Sequence, residues 1–102
     1  MKIINPDTEA LIKEIAEDDE ASLKEKFEAL RKAQPAWYKK PLDERVEVLR
    51  QFSSLLKKNI ETLASVLTSE VGKPLQQSRN EVNGAMARIK WLTDNAEKYL
   101  SD

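Results

Sequence analysis

The stretch Pro41–Val82 reads PLDERVEVLRQFSSLLKKNIETLASVLTSEVGKPLQQSRNEV and carries most of the information about the fold. Its apolar residues recur at steps of three and four, the spacing that places side chains on one face of an α-helix. They are Leu42, Val46, Leu49, Phe52, Leu56, Ile60, Leu63, Leu67 and Val71. Pro41 suits the first turn of a helix, and Gly72 followed by Pro74 suits its end. The pattern therefore predicts a long amphipathic helix that begins near Leu42 and ends at Gly72.

A polar interruption lies near the middle of this helix. Lys57, Lys58 and Asn59 stand side by side between two apolar segments. An asparagine is a good N-cap, so Asn59 can start a new helix at Ile60. We therefore expect a kink or a break at Asn59.

A second apolar stripe, formed by Val48, Leu55 and Val66, runs beside the first. Together the two stripes span about half of the helix circumference, at about 100° per residue. Such a wide stripe needs more than one neighbouring layer to cover it. Arg45 and Glu70 project onto the same face, where they either extend to water or form a partly buried ion pair. Uncovered apolar surface drives association, so we expect a dimer or higher oligomer.

Another helix is predicted before Pro41. It runs from about Glu20 to Gln34, with Leu23, Phe27 and Leu30 on one face. Its start is either Asp19 as the N-cap, or a capping box formed by Ser22 and Glu25. Pro35 should end it by removing a backbone donor.

The two ends of the chain have different patterns. Helix formers dominate Leu75–Leu100, which predicts a third amphipathic helix, and Gly84 inside it suggests close approach of another backbone. Near the start, Asn5–Thr8 has the composition of a turn between Ile3–Ile4 and Leu11–Ile15. These flanking segments either pair as a short β-hairpin or remain a frayed terminus. The predicted fold class is mainly α, with three amphipathic helices.

Composition excludes several classes of protein. The 102 residues suffice for one small domain, and 17 basic against 18 acidic residues give a net charge of −1. Without a concentrated basic face, nucleic-acid binding and a polybasic membrane anchor are disfavoured. No apolar run approaches the roughly 18 residues of a membrane span. Met1–Ile4 is followed at once by Asn5–Thr8, unlike a signal peptide, so we expect a cytoplasmic location.

The residues that carry most enzyme chemistry are missing. The sequence has no cysteine and no histidine, which removes thiolate nucleophiles, disulfides and the commonest general base. Lys73 follows Gly72 but precedes Pro74, whereas a phosphate-binding loop needs an earlier glycine and a Ser or Thr after the lysine. Lys73 is better explained as a basic residue near a helix C-terminus. We expect no catalytic, cofactor-binding or metal-binding residue in this chain.

Four segments in order resemble one known family. They are Ile4–Thr8, Pro41–Arg45, Glu70–Pro74 and Gln77–Val82. This set is similar to the N-terminal region of NAD(P)-dependent aldehyde dehydrogenases, and Lys73–Trp91 weakly resembles the succinate-semialdehyde branch. The sequence departs from the family pattern at two positions. Glu9 stands where the family usually has glycine, and Val71 replaces its usual methionine.

The resemblance implies that residues 1–102 are the N-terminal helical part of an α/β cofactor-binding domain. A whole enzyme of this kind oxidises an aldehyde to a carboxylate through a cysteine thioester, with hydride passing to NAD or NADP. Its catalytic and cofactor-binding residues would lie downstream, so this chain alone should be inactive and should bind no cofactor. Its implied partner is the remainder of the enzyme chain. The alternative is a free-standing three-helix module that binds a protein partner through the wide apolar stripe.

Overall fold

The structure, a computed structural model, describes residues 1–101 and contains two strands and four helices. The elements are β1 (Lys2–Ile4), β2 (Leu11–Glu14), α1 (Glu20–Tyr38), α2 (Leu42–Lys58), α3 (Ile60–Val71) and α4 (Leu75–Leu100). Helices α2 and α3 both pack against α4, which is therefore the centre of the helical layer. The mainly α class is confirmed. The count of three helices is wrong, because the predicted second helix is divided into α2 and α3.

The division falls at Asn59, where a break was expected. Asn59 has φ −111° and ψ 18°, outside the helical range, and its N–H bonds to the carbonyl oxygens of Leu55 and Leu56. Its side chain donates to the Leu55 carbonyl at 2.8 Å. Asn59 occupies the N-cap position of α3, but its side chain makes no cap bond there. The expected capping role is thus wrong: the side chain closes α2 instead.

The end of α3 and the whole of α4 match the sequence pattern. Gly72 takes a left-handed conformation, with φ 80°, and its N–H bonds to the Thr68 carbonyl at 2.9 Å. Glycine accepts this conformation without the steric penalty of a Cβ. Pro74 then occupies the N-cap position of α4, which begins and ends at the predicted residues.

Helix α1 begins with a reciprocal cap between Asp19 and Ser22. The Asp19 carboxylate accepts from the Ser22 N–H at 2.8 Å, and the Ser22 hydroxyl accepts from the Asp19 N–H at 3.0 Å. Of the two alternatives, Asp19 as the N-cap is confirmed. Ser22 is the third helical residue, so the box with Glu25 is wrong.

The predicted end of α1 at Gln34 is wrong, because the helix continues through Pro35 to Tyr38. Proline lacks one N–H, so only the bond to the Arg31 carbonyl is lost. The next turn still forms, since the Lys39 N–H bonds to the Pro35 carbonyl at 3.2 Å.

The N-terminal segment forms the hairpin rather than a frayed end. Strands β1 and β2 pair antiparallel, with Ile3 opposite Lys13, and the pairing shifts register between Ile3 and Ile4. In the turn, Asn5 Oδ1 accepts from the Asp7 N–H at 2.9 Å. Glu9 has φ 59°, a value that favours glycine. It therefore holds a glycine-like conformation at the position where the resembled family usually has glycine.

The described chain buries little of its surface. Val46 and Ala64 are its buried apolar residues, and Ser78 and Thr93 its buried polar ones. The accessible surface is 8485 Å², whereas a compact monomer of 11.7 kDa exposes about 5,900 Å². The radius of gyration is 17.8 Å, against about 13 Å for a globular domain of this length. The helices thus form an open layer without a substantial core.

Two expectations about packing have different outcomes. The second stripe of α2 and α3 is exposed at Val48, Leu55 and Val66, as expected for a surface that lacks its covering layer. The expected close approach at Gly84 is not found within residues 1–101, since a Cβ there would meet none of their atoms within 4 Å.

Candidate functional site

Gly72, Lys73 and Pro74 form the junction between α3 and α4, and this junction contacts the N-terminal hairpin. The backbone at Gly72 lies so close to the hairpin turn that an added Cβ would stand 2.7 Å from Pro6 Cγ. Glycine is therefore needed at this position for its backbone angle and also for the contact with Pro6. The junction joins the first turn of the chain to the end of α3.

A buried hydrogen bond supports this junction from the side of α4. Ser78 is fully buried in the first turn of α4, and its hydroxyl lies 2.8 Å from the Thr68 hydroxyl on α3. Each hydroxyl thereby satisfies the other in a place where a polar group without a partner is costly. The bond links the last turn of α3 to the first turn of α4.

Two ion pairs complete the junction. Arg79 holds Glu61 with both Nε and a terminal nitrogen, at 2.8 and 2.9 Å, so α4 is clamped to the start of α3. The Arg79 hydrogen bonds lower the pKa of Glu61, and the bond to Glu61 raises the pKa of Arg79. The Lys73 ammonium pairs with the Glu81 carboxylate of α4. With its charge neutralised in this way, Lys73 is a helix-junction residue rather than a phosphate ligand.

Arg45 lies in an open cleft of about 540 Å³ between α2 and α4, beside Leu42, Val46 and Thr93. Its Nε is buried and forms no hydrogen bond with residues 1–101. No ion pair joins Arg45 to the described part of the chain, so the alternative of a partly buried pair is not realised there. Glu70 is exposed.

The contacts of these residues are packing contacts, hydrogen bonds and ion pairs. Among residues 1–101, no group of three or more His, Cys, Asp or Glu could hold a metal ion. The backbone at Gly72 is not free for a phosphate group: Gly72 ends a helix, its N–H is already bonded, and Pro6 covers its backbone. A pyrophosphate needs free N–H groups at a helix N-terminus. The predicted absence of catalytic and cofactor-binding residues stays a prediction.

No helix in residues 1–101 has the length and apolar character required to cross a bilayer. The cellular location stays a prediction.

Sequence comparison supports the family suggested by the four segments. The chain matches the Aldehyde dehydrogenase family over residues 1–102. It is 32% identical over 102 residues to a glutarate-semialdehyde dehydrogenase of Pseudomonas putida, covering 100% of this chain and 21% of that protein. It is 30% identical over 100 residues to a succinate semialdehyde dehydrogenase of Acinetobacter baylyi, covering 98% of this chain and 21% of that protein.

Structural comparison agrees with the sequence. A crystal structure of glyceraldehyde-3-phosphate dehydrogenase from Methanocaldococcus jannaschii, complexed with NADP, superposes with a TM-score of 0.91 at 27% identity. The match covers 95% of this chain and 21% of that one. The chain thus spans about one fifth of the length of the relatives it matches. Because the family match extends over all 102 residues, the chain belongs to the aldehyde dehydrogenase family.

Proposed function

We propose that this chain is the N-terminal helical layer of an aldehyde dehydrogenase and that its role is to support the nucleotide-binding sheet. The open surface of the helices carries this proposal. The described chain exposes 8485 Å², about 2,600 Å² more than a compact monomer of its mass. A standard protein interface buries about 800 Å² on each partner, so the excess suffices for more than one packing layer.

The exposed apolar residues mark the surface that the sheet would cover. Val48, Leu55 and Val66 are exposed and lie on α2 and α3, and both of these helices also pack against α4. An apolar stripe facing water on a helix that is already packed on another side is typical of a middle layer.

The reaction of the whole enzyme is part of the same proposal. It would oxidise an aldehyde to a carboxylate with NAD or NADP, and this chain would contribute no reacting group. Two relatives are named for semialdehydes, which supports a semialdehyde as the substrate. The NADP complex of the structural relative supports a nicotinamide cofactor.

A chimera tests the proposal. The N-terminal fifth of the Pseudomonas putida relative is replaced by residues 1–102, and NAD(P)H formation from glutarate semialdehyde is measured. We expect a soluble enzyme with activity within about tenfold of the parent, because residues far from the chemistry act through packing. The matched variant Leu55→Glu should lose most of this activity by placing a charge between helix and sheet.

The chain alone provides the opposing measurement. Residues 1–102 should form no NAD(P)H with the same aldehyde. Activity of the isolated chain, or full activity of the Leu55→Glu chimera, would contradict the proposed supporting role.

A free-standing interaction module is the second candidate, favoured only by the same exposed stripe. An inactive chimera that is nevertheless soluble and folded would favour that candidate.

A further inference from the structure

Arg45 differs from the other buried polar groups of the chain because one of its donors has no acceptor. Its side chain is half-buried on α2, and its Nε has no contact with solvent and no hydrogen bond within residues 1–101. The buried hydroxyls of Ser78 and Thr93 both have partners. A buried donor without an acceptor costs more free energy than an ordinary hydrogen bond contributes, so such groups are rare in proteins.

Two carboxylates line the cleft beside Arg45 without pairing with it. Asp43 and Glu97 are both exposed, and neither lies within 4.0 Å of a guanidinium nitrogen of Arg45. Asp43 precedes Arg45 by two residues on the same helix, so the two side chains point to different sides of α2. The acceptor for the Arg45 Nε therefore has to come from outside residues 1–101.

A second arginine of this chain shows the contact that an arginine Nε makes. Arg79 donates from Nε and from a terminal nitrogen to the two carboxylate oxygens of Glu61, at 2.8 and 2.9 Å. A carboxylate thus supplies two acceptors and an opposite charge, whereas a backbone carbonyl leaves the positive charge uncompensated. Because a charged group away from water needs an opposite charge, the acceptor that best suits Arg45 is a carboxylate.

We propose that Arg45 binds a carboxylate carried by the remainder of the enzyme chain, through Nε and a terminal nitrogen. This inference rests on the proposed function, which packs that remainder over α2. The cleft of about 540 Å³ beside Arg45 is open, so an aspartate or glutamate side chain can enter it. Apolar contacts are non-directional, whereas this pair requires one position of the helical layer relative to the sheet.

One substitution should have opposite effects in the isolated chain and in the whole enzyme. In the 102-residue chain, Arg45→Met removes a donor that has no acceptor and keeps an unbranched side chain. The midpoint of thermal unfolding, followed by circular dichroism, should stay unchanged or rise by up to about 5 °C. In the chimera with the Pseudomonas putida relative, Arg45→Met leaves a buried carboxylate without its partner. The midpoint of thermal inactivation should fall by about 5 °C or more.

Arg50→Met is the matched control for both measurements. Arg50 lines the same cleft from the same helix, but it is exposed and approaches Asp94 only at 4.0 Å. It should change either midpoint by less than about 2 °C. A lower unfolding midpoint of the isolated chain with Arg45→Met, but not with Arg50→Met, would overturn the proposal by showing that Arg45 has its partner within the chain.

Added guanidinium tests whether the acceptor is a carboxylate. Arg45→Ala in the chimera leaves space for a free ion, and millimolar guanidinium chloride should raise the inactivation midpoint by occupying that space. Urea has a similar planar shape without the charge, and sodium chloride controls for ionic strength. Neither should raise the midpoint. Equal rescue by urea, or no rescue by guanidinium, would overturn the proposal.

Failure of this inference and failure of the proposed function give different results. An inactive chimera with Arg45 unchanged contradicts the proposed function. An active chimera whose inactivation midpoint is the same with Arg45 and with Arg45→Met overturns this inference and leaves the proposed function intact.

Discussion

Helices α1 and α4 share an amphipathic sequence pattern but differ in how much of each helix other elements cover. Both repeat apolar residues at helical spacing, and both have polar residues on the other face. Helix α4 packs against α2 and α3 and buries Ser78 and Thr93, whereas α1 buries nothing. The comparison shows that apolar periodicity predicts a helix and the face that it will bury. It does not predict which other element covers that face.

The largest effect should come from the junction that holds the packed region to the hairpin. Gly72→Val adds a branched side chain at a positive φ and against Pro6 Cγ. We expect the free energy of unfolding to fall by about 2–3 kcal/mol or more, as measured by urea unfolding. Gly84→Ala is the control, since its Cβ meets open space within α4. It should raise stability by about 0.5–1 kcal/mol, and a loss there would show that Gly84 is packed after all.

The same substitution in the two regions compares their packing directly. Ala64 on α3 is fully buried, whereas Ala21 on α1 is exposed. Ala64→Leu should lower the free energy of unfolding by about 1–3 kcal/mol, because the added atoms have no space. Ala21→Leu should change it by less than about 0.5 kcal/mol. Equal effects at the two sites would mean that α1 is as tightly packed as α3.

A smaller and purely local effect is expected at the start of α1. Asp19→Ala removes the acceptor for the Ser22 N–H, the contact that lowers the pKa of Asp19. Amide hydrogen exchange in the first turns of α1 should accelerate roughly fivefold, as the loss of a cap implies. Exchange in α3 and α4 should not change, because α1 contributes no buried residue to them. Faster exchange throughout would show that the two regions unfold together.

The smallest expected effect is the change in stability at low pH that comes from the pair formed by Glu61 and Arg79. The Arg79 hydrogen bonds lower the pKa of Glu61 in the folded chain, so their stabilising effect is present above the ordinary glutamate pKa of about 4.3. It is lost as pH falls through that value towards the lowered pKa. The difference in urea midpoint between the unchanged chain and Glu61→Gln should therefore shrink between pH 6 and pH 3.

Sequence reasoning succeeded where local chemistry decides the structure. The start of α2 after Pro41, the break at Asn59, the left-handed end at Gly72 and the bounds of α4 all depend on backbone angles and caps within a few residues. The same holds for Asp19. Pro35 was misjudged because a proline in the last helical turn removes a single donor, which the following turn tolerates.

Burial could not be predicted in the same way. Gly84 was expected to have a close neighbour that the described chain does not contain, and the ion pair that was one of two alternatives for Arg45 is not formed within it. Both expectations concern contacts with parts of the protein outside the helix that carries the residue. The sequence of one helix contains little information about which residues another layer places against it. The contact between Pro6 and Gly72 was also missed, since nothing in the spacing joins residues so far apart.

The contact between Pro6 and Gly72 has a consequence for synthesis. A ribosome adds about 5–20 residues each second, so several seconds separate the appearance of Pro6 from that of Gly72. During this interval the hairpin turn lacks its contact with Gly72, and a two-stranded hairpin alone is only marginally stable in water. The hairpin turn is therefore made before α1, α2 and α3 but becomes fixed only after α3 has been completed at Gly72.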